Sequence, residues 1–117
     1  AGVAGDIETA AWAARCSATV AAEIDLDCYR GLALLAGTSA ALAAGLEDES
    51  AEHARDAVKL LSRTGWRLFQ GRALDGLGRA LRISDPSAAC EAFDEAIAVF
   101  EACGAGWRRD RAADARP

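Results

Sequence analysis

Apolar residues recur every three or four positions along most of this chain, which is the spacing of one face of an α-helix. Two stripes in the second half are the clearest. The first comprises Phe69, Ala73, Leu74, Leu77, Ala80 and Leu81. The second comprises Ala89, Ala92, Phe93, Ala96, Ile97 and Phe100. Because isolated amphipathic helices of this length are marginal in water, the stripes predict helices that pack against one another.

Capping residues divide the chain into six predicted helical segments. They run over approximately residues 7–23, 27–44, 47–64, 66–83, 85–104 and from 107 onward. Asp6 is the expected N-cap of the first segment, and Ser84 or Asp85 that of the fifth, with Pro86 in its first turn. Glycines follow the second, third and fifth segments at Gly45, Gly65 and Gly104, and Gly65 is expected to be left-handed.

A shift of 39 residues superposes equivalent positions of the chain. It places Leu35 on Leu74, Gly37 on Gly76, Leu61 on Phe100 and Gly65 on Gly104. The repeated unit is therefore a helix, a short turn and a second helix, and each unit is too thin to bury its own apolar faces. The expected fold is all-α, a single domain over residues 1–117 in which antiparallel helix pairs stack as a short superhelix of about five to six helices.

The composition fits one globular, helical domain, with 52% hydrophobic and 26% charged residues and only two prolines. The longest uncharged stretch, residues 31–46, is too short and too weakly apolar to span a bilayer. No basic leader precedes the first apolar segment. These features favour a cytoplasmic protein without membrane contact. Because the chain contains no methionine, we expect it to be a fragment of a larger protein.

The cysteines show no spacing typical of a metal or redox site. Cys16, Cys28, Cys90 and Cys103 form no C-x-x-C pair, so they are expected to be small buried residues in a reducing compartment. His53, the one histidine, has only Glu49 and Glu52 at suitable helical spacing. No metal site and no cofactor are expected.

Charge argues against nucleic-acid binding by the whole module, because the net charge is −5. The charge is unevenly spread. Residues 1–62 carry 4 basic and 10 acidic side chains, whereas residues 63–117 carry 9 and 8. Any cationic surface therefore lies in the second half.

The second helix pair resembles the tetratricopeptide repeat (TPR). It carries Leu74-x-x-Leu77-Gly78-x-x-Leu81 followed by Ala89-x-x-x-Phe93-x-x-Ala96, with Leu in place of the family's leading aromatic residue and of its Tyr. Gly78 and Ala89 are expected to be small where the two helices cross. The preceding pair departs from the pattern, and the 39-residue period exceeds the usual 34 of the family.

Residues 47–115 are also similar to the degenerate helical repeats of large bacterial LuxR-type transcriptional regulators. In that family an ATPase core precedes such repeats and a helix-turn-helix follows them. The resemblance implies a sensor or scaffold region of a transcription regulator acting in signalling. It implies no nucleotide-binding or DNA-reading activity for this chain, which contains neither motif.

The first helix of each TPR pair turns one face toward an inner groove. On the fourth segment that face holds Arg72, Asp75, Arg79 and Arg82. Three guanidiniums on one stripe are suited to an acidic peptide, a terminal carboxylate or a phosphate. The alternative is an ordinary solvated face. Arg108, Arg109 and Arg111 form a further basic run, which is interpreted as either a DNA contact, if a helix-turn-helix follows, or a solvated helix face.

A second candidate surface lies on the second predicted segment, residues 27–44, which is the first helix of the preceding pair. It consists of Ala33, Ala36, Ala40 and Ala43, a stripe that permits close approach of another helix. It is either a self-association surface, part of the groove floor, or the surface against which the first predicted helix packs. Trp66 and Trp107 follow the repeat-end glycines and are interpreted as packing residues at the repeat junctions.

Catalysis has little support in the sequence. We find no G-x-S-x-G, phosphate-binding loop or H-E-x-x-H motif, and a single histidine offers no nucleophile–base pair. The leading expectation is a non-catalytic scaffold that binds a protein, an acidic peptide or another ligand. The alternatives are a module that forms a homodimer of its parent protein and a small-molecule sensor.

Overall fold

The computed structural model describes residues 27–117, and the regular structure of this part is entirely α-helical. The helices are α1 (Asp27–Ala43), α2 (Glu47–Leu61), α3 (Arg67–Leu81), α4 (Pro86–Ala102) and α5 (Gly106–Ala115). Each helix packs against the next one along the chain, and α1 also contacts α3. The prediction of an all-α fold made of stacked helix pairs is confirmed. The segment predicted for residues 7–23, with Asp6 and Cys16, lies outside the described residues.

Glycines in the left-handed region end three of the helices, as the sequence predicted for Gly65. The φ angles are 77° at Gly45, 75° at Gly65 and 71° at Gly104. Main-chain bonds close two of these ends in the Schellman arrangement, with Leu46 N donating to Ala41 O at 2.9 Å and Ala105 N to Phe100 O at 2.8 Å. The chain thereby reverses within a few residues and starts the next helix beside the last.

The connection between α2 and α3 uses side chains to satisfy the helix end. Gln70 Nε2 donates to Leu61 O at 2.7 Å, and Thr64 Oγ1 donates to the same carbonyl at 2.8 Å. The Trp66 main-chain N–H in turn donates to Thr64 Oγ1 at 3.1 Å. A polar link from the first turn of α3 therefore ties the first helix pair to the second.

The N-terminus of α4 follows the capping prediction. Asp85 is the N-cap, and one of its carboxylate oxygens accepts the Ala88 N–H at 3.1 Å. Pro86 occupies the first helical position, where a missing N–H costs nothing because that N–H has no partner inside a helix.

The helices of each pair meet where a large side chain fills the space above a glycine. A Cβ added to Gly71 would lie 2.6 Å from Phe100 Cε1, and one added to Gly78 would lie 2.8 Å from Phe93. Both rings are buried, at 1% and 0% exposure. In the first pair Gly31 faces Leu61 in the same way, at 2.6 Å. The predicted role of Gly78 as the small residue at the crossing is confirmed.

Positions 39 residues apart do equivalent work in the two pairs. Leu35 packs in one core cluster with Leu61, and Leu74 packs in another with Phe100. Both Leu35 and Leu74 are 8% exposed. These two leucines therefore have similar packing environments, whereas Gly37 and Gly76, also 39 residues apart, face different helices, at His53 and Thr38.

The last helix, α5, is fixed to α4 by apolar and ionic contacts. Ala112 and Ala115 are buried in the core cluster that contains the α4 rings. Arg116 Nε donates to Asp94 Oδ1 at 2.7 Å, and this hydrogen bond lowers the pKa of the Asp94 carboxyl and raises that of the Arg116 guanidinium. The position of α5 matters because α5 forms one wall of the groove described below.

Replacing Gly71 by alanine is expected to lower the free energy of unfolding by about 1–3 kcal/mol, because the new methyl group would overlap the buried Phe100 ring. Gly37→Ala is the matched control within a helix. Its Cβ would meet the His53 ring at an ordinary 3.5 Å, so alanine should stabilise the protein by about 0.5–1 kcal/mol. Urea unfolding followed by circular dichroism measures both changes. Equal effects of the two substitutions would contradict the tight crossing.

Candidate functional site

One side of the helix array carries a groove whose lining comes from α1, α3 and α5. Its volume is about 220 Å³. Helices α2 and α4, the second members of the pairs, contribute no lining side chain. The lining residues are Leu35, Thr38, Ser39, Leu42, Arg72, Asp75, Gly76, Arg79, Arg108 and Arg111. Four arginines and one aspartate thus face a single concave surface.

The floor of the groove is a half-buried face of α3. Arg72, Asp75 and Arg79 are three and four residues apart and therefore lie along one side of the helix. Arg79 Nε donates to Asp75 Oδ2 at 3.0 Å, so the charge of Arg79 is partly compensated within the helix. Arg79 also reaches the Arg111 carbonyl, with an Nη2–O distance of 3.5 Å. This contact connects the floor to the α5 wall.

The α5 wall is cationic and carries an exposed aromatic ring. The guanidinium carbons of Arg108 and Arg111 lie 5.7 Å and 4.9 Å from the centre of the Trp107 ring. Stacking on an indole ring favours a guanidinium near its face without neutralising the charge. The arrangement holds two donors at the groove while leaving their hydrogen-bonding edges for another group.

The opposite wall, formed by α1, carries no charge. Leu35 and Leu42 supply its apolar part, and Thr38 and Ser39 supply hydroxyl groups. The Thr38 hydroxyl already donates to Leu34 O at 2.8 Å. The groove therefore has one cationic side and one largely apolar side, which is suited to a ligand that combines negative charge with apolar groups.

The arginines are held together at an electrostatic cost. Burial lowers the pKa of the Arg72 guanidinium, and the nearby positive charge of Arg108 lowers it further. Among residues 27–117, no carboxylate forms an ion pair with Arg72, Arg108 or Arg111. An anion placed between Arg72 and Arg108 would remove this repulsion and gain charge-assisted hydrogen bonds.

The two carboxylate oxygens of Asp75 have different surroundings. Its Oδ2 accepts the bond from Arg79, whereas its Oδ1 is buried and accepts no hydrogen bond from the part of the chain that the structure describes. Asp75 lines a small hollow of about 60 Å³ at the α5 end of the groove, together with Trp107, Arg108 and Arg111. A buried acceptor without a donor is unfavourable.

The structure brings together three of the four residues on the predicted stripe. Arg72, Asp75 and Arg79 all line the groove. Arg82 does not. It is the C-cap residue of α3, is exposed, and lines an adjoining depression that shares Leu42 and Arg79 with the groove.

Arg108 and Arg111 were not included in the stripe predicted from the sequence. The 39-residue shift could have indicated them, because it places Phe69 on Arg108 and Arg72 on Arg111. The helix α5 therefore corresponds to α3 and turns the equivalent face toward the groove. Arg109, the third member of the basic run, instead forms an ion pair with the exposed Asp110.

The alanine stripe of α1 is exposed in the structure. Each of its members, Ala33, Ala36, Ala40 and Ala43, is classed as exposed, and none lines the groove. A role in the groove floor is therefore not supported. Self-association through this face stays a hypothesis.

The two tryptophans differ in their surroundings. Trp66 packs edge-on against Tyr29 at 6.5 Å between ring centres and lies 5.3 Å from Phe69, which agrees with its predicted role at a repeat junction. Trp107 is 65% exposed, and it contacts the arginines of α5. The prediction that Trp107 is a packing residue is therefore wrong. Trp107 follows Gly104 by three residues, whereas Trp66 follows Gly65 by only one.

Other chemistry-bearing residues form no cluster in the described part of the chain. Cys28 and Cys90 are half-buried and Cys103 is exposed, all three as free thiols. His53 is half-buried, with Glu49 at 3.9 Å. Within residues 27–117, no group of three metal-ligating side chains is found, and no helix has the length and apolar character needed to cross a bilayer.

Replacing Arg108 by glutamine is expected to raise the free energy of unfolding by about 0.5 kcal/mol at low ionic strength, because it removes the repulsion of Arg72. The gain should vanish in high salt, where the repulsion is screened. Arg55→Gln is the control, since Arg55 is exposed on α2 and away from the groove. Thermal unfolding at several salt concentrations measures the difference. A loss of stability in Arg108→Gln would show that Arg108 is compensated in the native protein.

No family model, no curated protein and no solved structure matches this chain.

Proposed function

We propose that this chain is a non-catalytic, TPR-like binding scaffold whose groove receives an acidic protein or peptide. The observation that carries the proposal is the set of guanidiniums at Arg72, Arg108 and Arg111, which face one concave surface and have no paired carboxylate among residues 27–117. Arginine is suited to this task because its planar group donates two parallel hydrogen bonds to a carboxylate.

The shape of the groove favours a peptide over a compact ion. The cationic wall on α5 faces an apolar wall on α1 that includes Leu35 and Leu42. An acidic segment with interspersed apolar side chains would contact both walls at once. Such a ligand gains hydrophobic burial on one side and charge-assisted hydrogen bonds on the other.

The cellular role follows from the resemblance of the sequence to the repeat regions of LuxR-type regulators. We propose that the domain belongs to a larger cytoplasmic transcriptional regulator and transmits the binding of its partner to the rest of that protein. Direct contact with nucleic acid is not part of this role, because the net charge of the chain is −5.

Arg72→Gln and Arg108→Gln are each expected to weaken binding of an acidic peptide by about tenfold or more, because each removes charge-assisted hydrogen bonds. Fluorescence anisotropy with a labelled peptide of alternating aspartate and leucine, blocked at both ends, measures the change. Wild-type affinity should fall steeply as salt increases.

Arg82→Gln is the matched control for these variants. It makes the same change of charge at the C-cap of the same helix, but Arg82 does not line the groove. Its affinity for the peptide should remain within about twofold of the wild type, since one exposed charge contributes little. Equal losses in the Arg82 and Arg72 variants would indicate a general effect of charge and contradict the groove.

Self-association is the second candidate function, supported by the exposed alanine stripe of α1. Small side chains permit two helices to approach closely, so two copies would meet through Ala36 and Ala40. Sedimentation equilibrium at high protein concentration tests this candidate. A dimer that Ala36→Glu and Ala40→Glu dissociate would support it, and a strictly monomeric wild type would exclude it.

A small-molecule sensor is the third candidate, because the groove volume of about 220 Å³ would accommodate a small anionic metabolite. A thermal-shift screen compares the candidates directly. Stabilisation by an organic acid or phosphate, without stabilisation by acidic peptides, would favour the sensor over the peptide scaffold.

A further inference from the structure

We propose that the groove of one molecule receives an acidic corner of a second copy of the same chain. The corner is the turn between α1 and α2 together with the first residues of α2, namely Leu46, Glu47, Asp48 and Glu49. This inference rests on the proposed function and deepens it, because it identifies the acidic partner of the groove as the protein itself.

The corner has the chemistry that the groove requires of a ligand. It places one apolar side chain, Leu46, directly before three carboxylates. Leu46 is 52% exposed, and both Asp48 and Glu49 are exposed. The chain turns sharply there, since Gly45 has a φ of 77° and a Cβ at this position would meet no atom within 4 Å. The corner therefore projects from the surface and is accessible to another molecule.

The carboxylates of the corner lack strong cationic partners. Among residues 27–117, Glu47 and Asp48 form no ion pair, and Glu49 has only the half-buried His53 within reach, at 3.9 Å. The positive end of the α2 dipole favours these charges but supplies no ion pair. The groove shows the opposite imbalance, because three of its guanidiniums have no paired carboxylate in the same part of the chain. The two surfaces are therefore complementary in charge.

Leu46 is unfavourable for the stability of α2, which indicates a role in binding. It is the N-cap residue of α2, yet its side chain forms no cap hydrogen bond. At the equivalent position of the second pair, Asp85 caps α4 by accepting the Ala88 N–H. Leucine is among the least favourable N-cap residues, and here half of its surface is exposed. Contact with the apolar α1 wall of a groove in another molecule would bury that surface.

The corner cannot fill the groove of its own molecule. The Leu46 N–H donates to Ala41 O at 2.9 Å, which fixes the turn against the end of α1. Glu47 shares the adjoining depression with Arg79. Arg72 lies seven residues before Arg79 on α3, which is about 10 Å further along the helix. The corner can therefore reach this guanidinium only in another molecule.

The contact depends on local complementarity, because each copy carries a net charge of −5. At about 0.1 M salt, repulsion between exposed charges more than about 10 Å apart is largely screened, whereas a partly buried ion pair is screened much less. The corner and the groove are different surfaces, so the copies associate head to tail. The groove volume of about 220 Å³ makes each contact small, and small contacts are weak and reversible.

Sedimentation equilibrium of the full chain at about 0.1 M salt tests the proposal. The wild-type protein should show an average mass above that of the monomer at roughly 0.5 mM, and this excess should be lost at about 1 M salt. Two variants each remove one surface. The groove variant is Arg72→Gln with Arg108→Gln, and the corner variant is Asp48→Asn with Glu49→Gln.

Each of these two variants should be monomeric when it is measured alone. A mixture of the two should form dimers, because the intact groove of the corner variant receives the intact corner of the groove variant. Circular dichroism confirms that both variants are helical. A mixture that stays monomeric would overturn the proposal.

Glu91→Gln with Glu95→Gln is the matched control for the corner variant. Both carboxylates are exposed on α4 and neither lines the groove, so this variant removes the same charge and should associate as the wild type does. Leu46→Ser should abolish association. Its thermal unfolding temperature should not fall below that of the wild type, because serine supplies an N-cap oxygen. The loss of association in this variant is then separate from any loss of folding.

The outcomes separate this inference from the proposed function. A wild-type protein that stays monomeric, yet binds the labelled aspartate–leucine peptide, refutes the second copy as the partner and leaves the scaffold intact. Association that is lost in Ala36→Glu but persists in the corner variant also refutes the inference, because it assigns self-association to the alanine stripe. Absence of both association and peptide binding refutes both proposals. Two monomeric variants whose mixture dimerises support the inference.

Discussion

The close approach of paired helices at glycine is the constraint on which the other features depend. Gly71 and Gly78 allow the rings of Phe100 and Phe93 to lie where any side chain would overlap them. With so few aromatic residues in the chain, these two rings supply the bulk of the second pair's interior. The two helices of each pair can therefore lie close together. The first helix of each pair, α1 or α3, keeps one face that its partner does not cover. That uncovered face becomes the groove.

The charges of the groove illustrate a conflict between stability and binding. Burial lowers the pKa of the Arg72 guanidinium, and the positive charge of Arg108 lowers it further. A sequence optimised only for folding would replace one of them or place a carboxylate between them. Preorganised, unsatisfied groups of this kind are typical of functional sites, where the ligand supplies the missing interaction.

Asp75 shows why the composition of a surface does not describe its chemistry. Counted as a charge, it merely reduces the positive potential of the groove. Considered atom by atom, one oxygen accepts the hydrogen bond from Arg79 and the other is buried. The ion pair orients Arg79 and leaves Arg72, Arg108 and Arg111 as the groove guanidiniums without a paired carboxylate in the described part of the chain.

The sequence by itself determined the helices, their ends and their equivalence. Periodic apolar residues, the Asp85 cap and the left-handed glycines are local features, because a helix and its termini depend on residues within a few positions. The 39-residue shift follows from the same local patterns and relates Leu35 to Leu74. Only the tertiary structure decided which side chains share the groove. Arg82 is not part of it because α3 ends at Leu81. Arg108 is part of it because the packing of Ala112 beside Phe100 places α5 at one side of the groove.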